Sequence, residues 1–262
     1  MTESYDPPVS NAPADPPKAT VPFRLEAVVV CVNYGDILAH TLPDNRILFD
    51  RLVVVTAPED KETRRVCEYW HVECVQTDVL ESRWGRFCKG AGINAGLEKL
   101  AKSDLVVHMD ADIVLPPLTR KLIEGGRLDR SHLYGCDRVM CRSFVDWAKF
   151  RCEPRLQHED ECWIHMNQFP FGHRVAIHSY GGYIPIGFFQ MWSPSVSGIF
   201  SYPEGHTTAA REDTKFALQW PRAKRSLLPE VIAYHLESEA APMAANWSGR
   251  TTRRFGPAHD AA

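Results

Sequence analysis

Residues 104–116 read DLVVHMDADIVLP, and this stretch is the most informative in the chain. Its apolar run, Leu105–Met109, is rich in β-branched residues and typical of a strand that is covered on both faces. Two aspartates, Asp110 and Asp112, follow the run directly, and a strand period of two puts them on the same side. Ligands of open α/β sheets bind beyond the carboxyl ends of the strands. The stretch therefore predicts a buried strand that ends in a carboxylate pair.

Similar apolar runs occur upstream and alternate with helical patterns. The runs are Ala27–Val32, Leu52–Val55 and Val72–Val75. Thr56 with Glu59 forms a capping-box pattern, with Pro58 in the first turn, ahead of a helix. The apolar faces of the two expected helices hold Thr63, Val66, Cys67 and Trp70 in one, and Ile93, Leu97, Leu100 and Ala101 in the other. Strands that alternate with helices predict a doubly wound α/β half.

The second half of the chain is less regular. Strands are expected at Leu133–Met140, Tyr183–Trp192 and Val231–His235, and Pro221 ends a short helix that carries Phe216, Ala217 and Trp220. We expect a disordered tail over residues 1–22, rich in proline and small polar residues. One compact domain is expected over residues 23–240, with a nucleotide-binding half (23–115) and an acceptor-binding half (116–240). Residues 241–262 are expected to be a flexible tail.

Composition restricts the class of protein. Charged residues make up 24% of the chain and the formal net charge is -3, which favours neither a dedicated nucleic-acid binder nor a membrane-surface protein. No apolar run approaches the roughly 20 residues of a membrane helix, and the first residues lack the pattern of a secretory signal. We therefore expect a soluble, cytoplasmic protein whose eight cysteines are reduced thiols.

The carboxylate pair predicts a metal site. Carboxylates are hard oxygen ligands that suit Mn²⁺ or Mg²⁺, and such an ion can bridge to a diphosphate. A solvated, aspartate-rich turn is the alternative. Upstream, Lys89–Leu100 reads KGAGINAGLEKL, and together with Asp110-Ala111-Asp112 it resembles the nucleotide-sugar-dependent glycosyltransferases of GT-A fold, family-two type. The resemblance implies a metal-dependent transferase, a hexosyltransferase-like enzyme with a nucleoside-diphosphate sugar, UDP-linked, as donor.

The resemblance also implies which residues bind the donor. Base and ribose would lie on the ends of the first three strands, at Val32, Asn33, Tyr34, Thr56 and Asp78, although family members often have an aspartate where Thr56 stands. The other donor-binding residues would be Lys89, Asn94, Asp110 and Gly182. Gly90, Gly92 and Gly96 would let the helix approach the nucleotide closely.

Residues 211–220, REDTKFALQW, resemble the family segment whose aspartate is the general base of inverting enzymes. Asp213 is the expected base, and Glu212 beside it would raise its proton affinity. An N-terminal helix cap is the alternative role of this acidic pair. By the same resemblance His235 would be the third metal ligand, after Asp110 and Asp112. Tyr183 and Trp192 would stack on the acceptor, with core packing as the alternative.

Three features leave other interpretations open. Asp110-Ala111-Asp112-Ile113-Val114 also matches the nucleophile motif of haloacid-dehalogenase-type phosphatases, and a non-catalytic nucleotide-sugar-binding module would need the same donor site. The Cys- and His-rich segment 136–165 contains no tight metal-binding spacing, so structural zinc is disfavoured there. The tail with Trp247, Gly249, Arg253 and Arg254 could close as a lid over the donor. The acceptor hydroxyl stays open among a glycan, a lipid-linked precursor, a small molecule and a hydroxylated nucleic-acid base.

Overall fold

The computed structural model describes residues 23–80, 87–102, 104–126, 128–141, 143–152, 182–204, 212–236 and 254–257. Within these ranges eight strands form one sheet in the order β3-β2-β1-β4-β7-β6-β8-β5. The strands are β1 (Leu25–Val30), β2 (Arg51–Thr56), β3 (Glu73–Gln76), β4 (Leu105–Asp110), β5 (Ile113–Val114), β6 (Leu133–Cys141), β7 (Phe189–Trp192) and β8 (Arg225–Leu236).

The first half of the sheet is parallel. Strand β1 pairs in parallel with both β2 and β4, and β2 pairs in parallel with β3, whereas β7 joins β4 antiparallel. The predicted α/β fold, with a parallel half that opens the chain and the D-x-D after a central strand, is confirmed. The chain leaves β1 toward one edge and returns to β4 on its other side, so the carboxyl ends of β1 and β4 meet at a topological switch point.

Helices cover both faces of the sheet. They are α1 (Gly35–Asn45), α2 (Lys61–Tyr69), α3 (Lys89–Leu97), α4 (Thr119–Gly125), α5 (Phe144–Cys152), α6 (Pro194–Ser197) and α7 (Glu212–Ala217). Leu38 and Leu42 of α1 pack in one apolar cluster with the sheet. Ile93 and Leu97 of α3 pack in a second cluster, which also holds Phe216 of α7. Helix α1 and helices α3 and α7 thus contribute to different cores.

The predicted strands of the first half are confirmed within one or two residues, but two later ones differ in length. The strand expected at Tyr183–Trp192 is regular only over Phe189–Trp192. The strand expected at Val231–His235 begins earlier and spans Arg225–Leu236. A bulge in β8 shifts its register with β6, from Gly135 opposite Leu227 to Asp137 opposite Ile232. Bulges allow a long strand to bend without losing its pairing.

The predicted capping box before α2 is wrong. The cap is Asp60, whose carboxylate accepts a hydrogen bond from the backbone N–H of Thr63 at 3.0 Å. Thr56 is the last residue of β2 instead, and Glu59 lies before the helix start at Lys61. The predicted face is confirmed, since Thr63 and Cys67 are buried and Val66 and Trp70 pack against the core.

The predicted role of the α3 glycines is also wrong. A Cβ at Gly90 would overlap the carbonyl oxygen of Pro203, and one at Gly92 would overlap Leu80. At Gly96 a Cβ would lie 2.5 Å from a methyl group of Val28 and 2.9 Å from one of Val55. The glycines therefore bring α3 close to the sheet and to neighbouring loops, so protein atoms and not a nucleotide adjoin their α-carbons.

Part of the expected C-terminal tail is packed. Phe255 is buried against His40 and Phe144, and its backbone N–H donates to Asp36 at the start of α1. The rest of that tail, the tail 1–22 and the Cys- and His-rich residues 153–165 lie outside the described residues. In the described parts of the chain, no helix is long and apolar enough to cross a membrane. The domain boundaries stay a prediction.

The close packing at Gly96 gives a test of the fold. Gly96→Ala should lower the free energy of unfolding by about 1 to 2 kcal/mol, because the overlap with Val28 and Val55 outweighs the gain in helix propensity. Gly125→Ala is the matched control, since a Cβ there has no neighbour within 4 Å. Urea unfolding monitored by circular dichroism measures both variants. Equal stability of the two variants would contradict the packing of α3 on β1 and β2.

Candidate active site

The carboxyl edge of the sheet brings together most of the predicted site residues. Asp110 ends β4, and Asp112 lies in the two-residue turn directly before β5. Strand β5 pairs with β8, with Ile113 opposite His235, so the predicted third ligand lies beside Asp112. Lys89 begins α3, and Glu212 and Asp213 begin α7.

Backbone contacts fix the turn that carries the two aspartates. Thr41 of α1 donates to the carbonyl oxygen of Ala111 at 2.7 Å, and Asn45 donates to that of Ile113 at 2.6 Å. Both side chains are buried. On the other side, the backbone N–H of Leu236 donates to the carbonyl oxygen of Asp112 at 2.8 Å. The turn is thus held by α1 and β8, which leaves its carboxylates for other partners.

Asp110 forms an ion pair with Lys89. Burial acts to lower the pKa of the Lys89 ammonium, but Asp110, Asp213 and Asp112 together raise it above its ordinary value, so Lys89 is charged at neutral pH. Burial and the charge of Asp112 raise the pKa of Asp110, although Lys89 opposes them. Beneath the pair lies His108, which is fully buried, and burial lowers its pKa so that it is neutral.

Asp112 forms a chain of contacts with His235 and Arg138. The Nε2 of His235 lies 3.1 Å from a carboxylate oxygen of Asp112, and the guanidinium of Arg138 lies 2.7 Å from Nδ1. Because a guanidinium only donates, Nδ1 is the acceptor and the proton of a neutral ring lies on Nε2, toward Asp112. Although burial opposes it, His235 lowers the pKa of Asp112. Arg138 also stacks over Phe188 at 4.5 Å.

Asp110, Asp112 and His235 are residue types that bind divalent cations, but their side chains are not arranged as a metal site. Asp112 Oδ1 is buried and has no hydrogen-bond partner among the described residues, so it is an acceptor that a metal ion could satisfy. Asp110 faces Lys89, however, and the Nε2 proton of His235 would have to leave before that nitrogen could bind a metal. Among the described residues no three His, Cys, Asp or Glu side chains are grouped as a metal site. The predicted triad of Asp110, Asp112 and His235 is close in space but not assembled.

Backbone groups orient the predicted base, Asp213. Its Oδ2 accepts from the N–H of Gly187 at 2.9 Å, and its Oδ1 accepts from the N–H of Thr214 at 2.6 Å. A Cβ at position 187 would lie 2.9 Å from the Asp213 Cβ, so glycine is needed for this approach. Gln190, which is fully buried, donates to the Asp213 carbonyl oxygen at 3.1 Å. Asp213 is therefore a positioned carboxylate that is only partly buried.

A raised proton affinity, which the sequence predicts for Asp213 beside Glu212, is found at Glu212. Its side chain is 1% exposed. One oxygen accepts from the N–H of Gly90 at 2.7 Å, and the other has no hydrogen-bond partner among the described residues. Burial, helped by the charge of Asp213, raises the pKa of Glu212 to about 7, against the opposing effects of Gly90 and Lys89. Glu212 ties the start of α7 to the start of α3.

The expected base-binding loop is organised by Asp60. Its carboxylate accepts from the N–H of Asn33 at 2.6 Å and from the hydroxyls of Thr63 and Thr56 at 2.6 and 3.2 Å. Asn33 has a φ of 62° and is exposed, with Val32 and Tyr34 half-buried beside it. A buried aspartate thus lies under the loop, next to Thr56. Asp78 is exposed at the start of a short turn after β3.

Three residues that were predicted to bind the donor or the acceptor contact other parts of the protein. Trp192 is fully buried, donates to the carbonyl oxygen of Ile199 and packs edge-on against Phe216, so its predicted stacking on an acceptor is wrong. The side-chain amide of Asn94 donates to the carbonyl oxygen of Tyr202 and accepts from its backbone N–H. Gly182 has a φ of 129°, and a Cβ there would meet the side chain of Arg222 at 2.8 Å. Tyr183 is half-buried, with its hydroxyl beside Gly135, and its role stays a prediction.

Sequence reasoning missed five residues that support the site. They are Thr41, Asn45, Asp60, Arg138 and Gln190. Pro58-Glu59-Asp60 before an amphipathic run was a signal for Asp60 as a helix cap. The other four lie in ordinary helix or strand patterns, and only the tertiary structure brings them to the site.

Comparisons with known proteins give structural likenesses alone. No protein-family model matches the chain, and no curated protein does. It is similar to glucosyl-3-phosphoglycerate synthase from Mycobacterium tuberculosis in complex with Mn²⁺ and UDP-glucose, at 14% identity over 84% of this chain and 72% of that one, with a TM-score of 0.46. It is also similar to mannosyl-3-phosphoglycerate synthase from Rubrobacter xylanophilus, at 20% identity over 45% of this chain and 40% of that one, with a TM-score of 0.37. At TM-scores below 0.5 the function has to be inferred from the geometry of the site.

The environment of Glu212 predicts a pH dependence of stability. The folded protein holds a proton on Glu212 between pH 4.5 and about 7 that the unfolded chain has released, so this group makes stability fall as pH rises through that range. Glu212→Gln keeps an acceptor for Gly90 but removes the titration. We expect it to be more stable than the wild type at pH 8 by on the order of 2 kcal/mol and to show no such gain at pH 4.5.

The measurement is urea unfolding from pH 4.5 to 8.5. Glu98→Gln, at an exposed position after α3, is the control for loss of one carboxylate. A constant difference between Glu212→Gln and the wild type across this range would contradict a raised pKa at Glu212.

Proposed function

We propose that the protein is a metal-dependent glycosyltransferase that transfers a sugar from a nucleoside-diphosphate sugar, UDP-linked, to an acceptor hydroxyl. The observation that carries this proposal is the cluster at the switch point, where Asp110, Asp112, Lys89 and Asp213 meet beyond the carboxyl ends of parallel strands. Such a cluster combines carboxylates for a cation, an ammonium for phosphate and a positioned base. That combination suits the displacement of a diphosphate by a hydroxyl.

The donor is proposed to lie across the ends of β1, β2 and β4. Val32, Asn33 and Tyr34 would contact the base, with Asp60 holding the loop from below, and Thr56 and Asp78 would line the ribose side. Lys89 would pair with the diphosphate as a point charge. Asn94 and Gly182 would act through the segments that they hold in place. The assignment of the donor as UDP-linked rests on the resemblance to family-two enzymes.

Asp110, Asp112 and His235 are proposed to hold Mn²⁺ or Mg²⁺. Within the described part of the chain Asp112 Oδ1 has no partner, which supports this assignment, because a buried acceptor without a partner is costly unless a ligand satisfies it. When bound, the ion supplies positive charge that stabilises the leaving diphosphate. His235 can join as a ligand once its proton moves from Nε2, which requires Arg138 to give up its hydrogen bond to Nδ1.

Asp213 is proposed to take the proton of the acceptor hydroxyl, with inversion at the anomeric carbon. Gly187 and Thr214 donate backbone N–H groups to the carboxylate and so orient it for this task. Glu212 acts as a positioning residue, because its contact with Gly90 links the base to the helix that carries Lys89. Tyr183 is proposed to lie on the acceptor side. The acceptor class stays open, as in the sequence-based prediction.

Substitution of the proposed base should separate binding from transfer. Asp213→Asn should bind the donor with Mn²⁺ nearly as well as the wild type, but should transfer more slowly by a factor on the order of 10² to 10⁴ because the general base is lost. Asp112→Asn is the contrasting variant and should lose the metal-dependent part of donor binding. Calorimetry with UDP and Mn²⁺ measures binding, and release of UDP from the donor measures turnover. Wild-type turnover in Asp213→Asn would leave this residue as a helix cap only.

A further inference from the structure

The proposed function assigns Lys89 to the donor diphosphate, but the partner of Lys89 in this structure is a carboxylate that is assigned to the metal ion. Its ammonium is paired with Asp110, the first carboxylate of the proposed metal site. The side chains are 17% and 27% exposed, so the pair is partly shielded from water. Within the described ranges, Lys89 is the cation in hydrogen-bonding contact with Asp110. A divalent ion on Asp110 would have to displace this ammonium or lie against a like charge.

The charge of the cluster explains why the ammonium is there. Asp110, Asp112 and Asp213 all act on Lys89, and Glu212 also lies within its field. Carboxylates this close repel one another in a partly dry site, and a single ammonium relieves the repulsion. Once a metal ion carries that charge, the ammonium is no longer needed on Asp110. A diphosphate then offers it a stronger partner than the solvent does.

We propose that Lys89 exchanges partners, pairing with Asp110 in the free protein and with the donor diphosphate in the complex, so that metal and donor bind with positive coupling. This inference rests on the proposed function. In the free protein Lys89 competes with the metal for Asp110. The donor removes that competition by attracting the ammonium away, and by linkage the metal strengthens donor binding by the same factor.

The test is a thermodynamic cycle on the full chain. Electron paramagnetic resonance of free Mn²⁺ measures the Mn²⁺ affinity with and without saturating UDP, and the ratio of the two affinities is the coupling factor. We expect a wild-type factor on the order of ten or more. In Lys89→Met, Mn²⁺ alone should bind about fivefold to tenfold more tightly, and the coupling factor should fall by a similar amount. Lys89→Arg keeps the charge and should retain most of the wild-type coupling.

Control variants and alternative outcomes keep the test decisive. Lys99→Met removes one exposed lysine just after the same helix and should change neither affinity nor coupling. If Lys89→Met strengthens the binding of Mn²⁺ equally with and without UDP, Lys89 only repels the metal ion, and the proposed exchange of partners is wrong. Weaker Mn²⁺ binding in Lys89→Met would show that Lys89 merely holds Asp110 in place, which also overturns it. If Lys89→Met does not fold, Lys89→Gln is measured against the same expectations.

The failure of the exchange can be told apart from failure of the proposed function. A wild-type protein that binds UDP with Mn²⁺, but whose coupling factor is unchanged in Lys89→Met, contradicts the exchange alone. A folded wild-type protein that binds neither Mn²⁺ nor UDP contradicts the proposed function, and the exchange with it.

Discussion

The ion pair of Lys89 and Asp110 is the contact on which the site depends. Strand β4 is buried on both faces, yet it ends in a carboxylate that lies beside Asp112 and within the field of Asp213. Carboxylates this close repel one another unless a positive charge balances them or one of them takes up a proton. Helix α3 supplies that charge from its first residue, and its glycines allow the helix to lie close enough to the sheet for Lys89 to reach Asp110. Packing and electrostatics therefore require each other here.

The rest of the fold holds this cluster largely through backbone groups. Thr41 and Asn45 bind the backbone of the aspartate turn, and the pairing of β5 with β8 brings in His235. Gln190 and Gly187 fix the backbone and carboxylate of Asp213 from β7 and the loop before it. Sites built on such supports lose little entropy when a ligand binds. The carboxylates are positioned by the scaffold and stay available for a metal ion, a diphosphate or a proton.

Periodicity predicted the parallel half of the sheet well, because buried parallel strands are continuous apolar runs, as in Leu105–Met109. Contacts between residues far apart in the chain were not predictable. Arg138 reaches His235 across 97 residues, and nothing in the pattern of β6 indicates that contact. Trp192 looked like a stacking residue because aromatic residues suit both sugars and cores, and only its complete burial decides between them. The glycines of α3 were misassigned for a similar reason, since close approach to a nucleotide and to a strand both need the absence of a Cβ.

The central claim is that this edge of the sheet binds a nucleoside-diphosphate sugar together with a divalent cation. A thermal-shift panel of nucleotide sugars on the wild-type protein, each with Mn²⁺ and with a chelator, tests it most directly, and donor hydrolysis is then measured on the compounds that stabilise the protein. The account predicts that at least one UDP-sugar raises the melting temperature only when Mn²⁺ is present, and that the same compound is slowly hydrolysed to UDP. It would be contradicted by a folded protein that no nucleotide sugar stabilises but that hydrolyses p-nitrophenyl phosphate, which is the behaviour of a phosphatase.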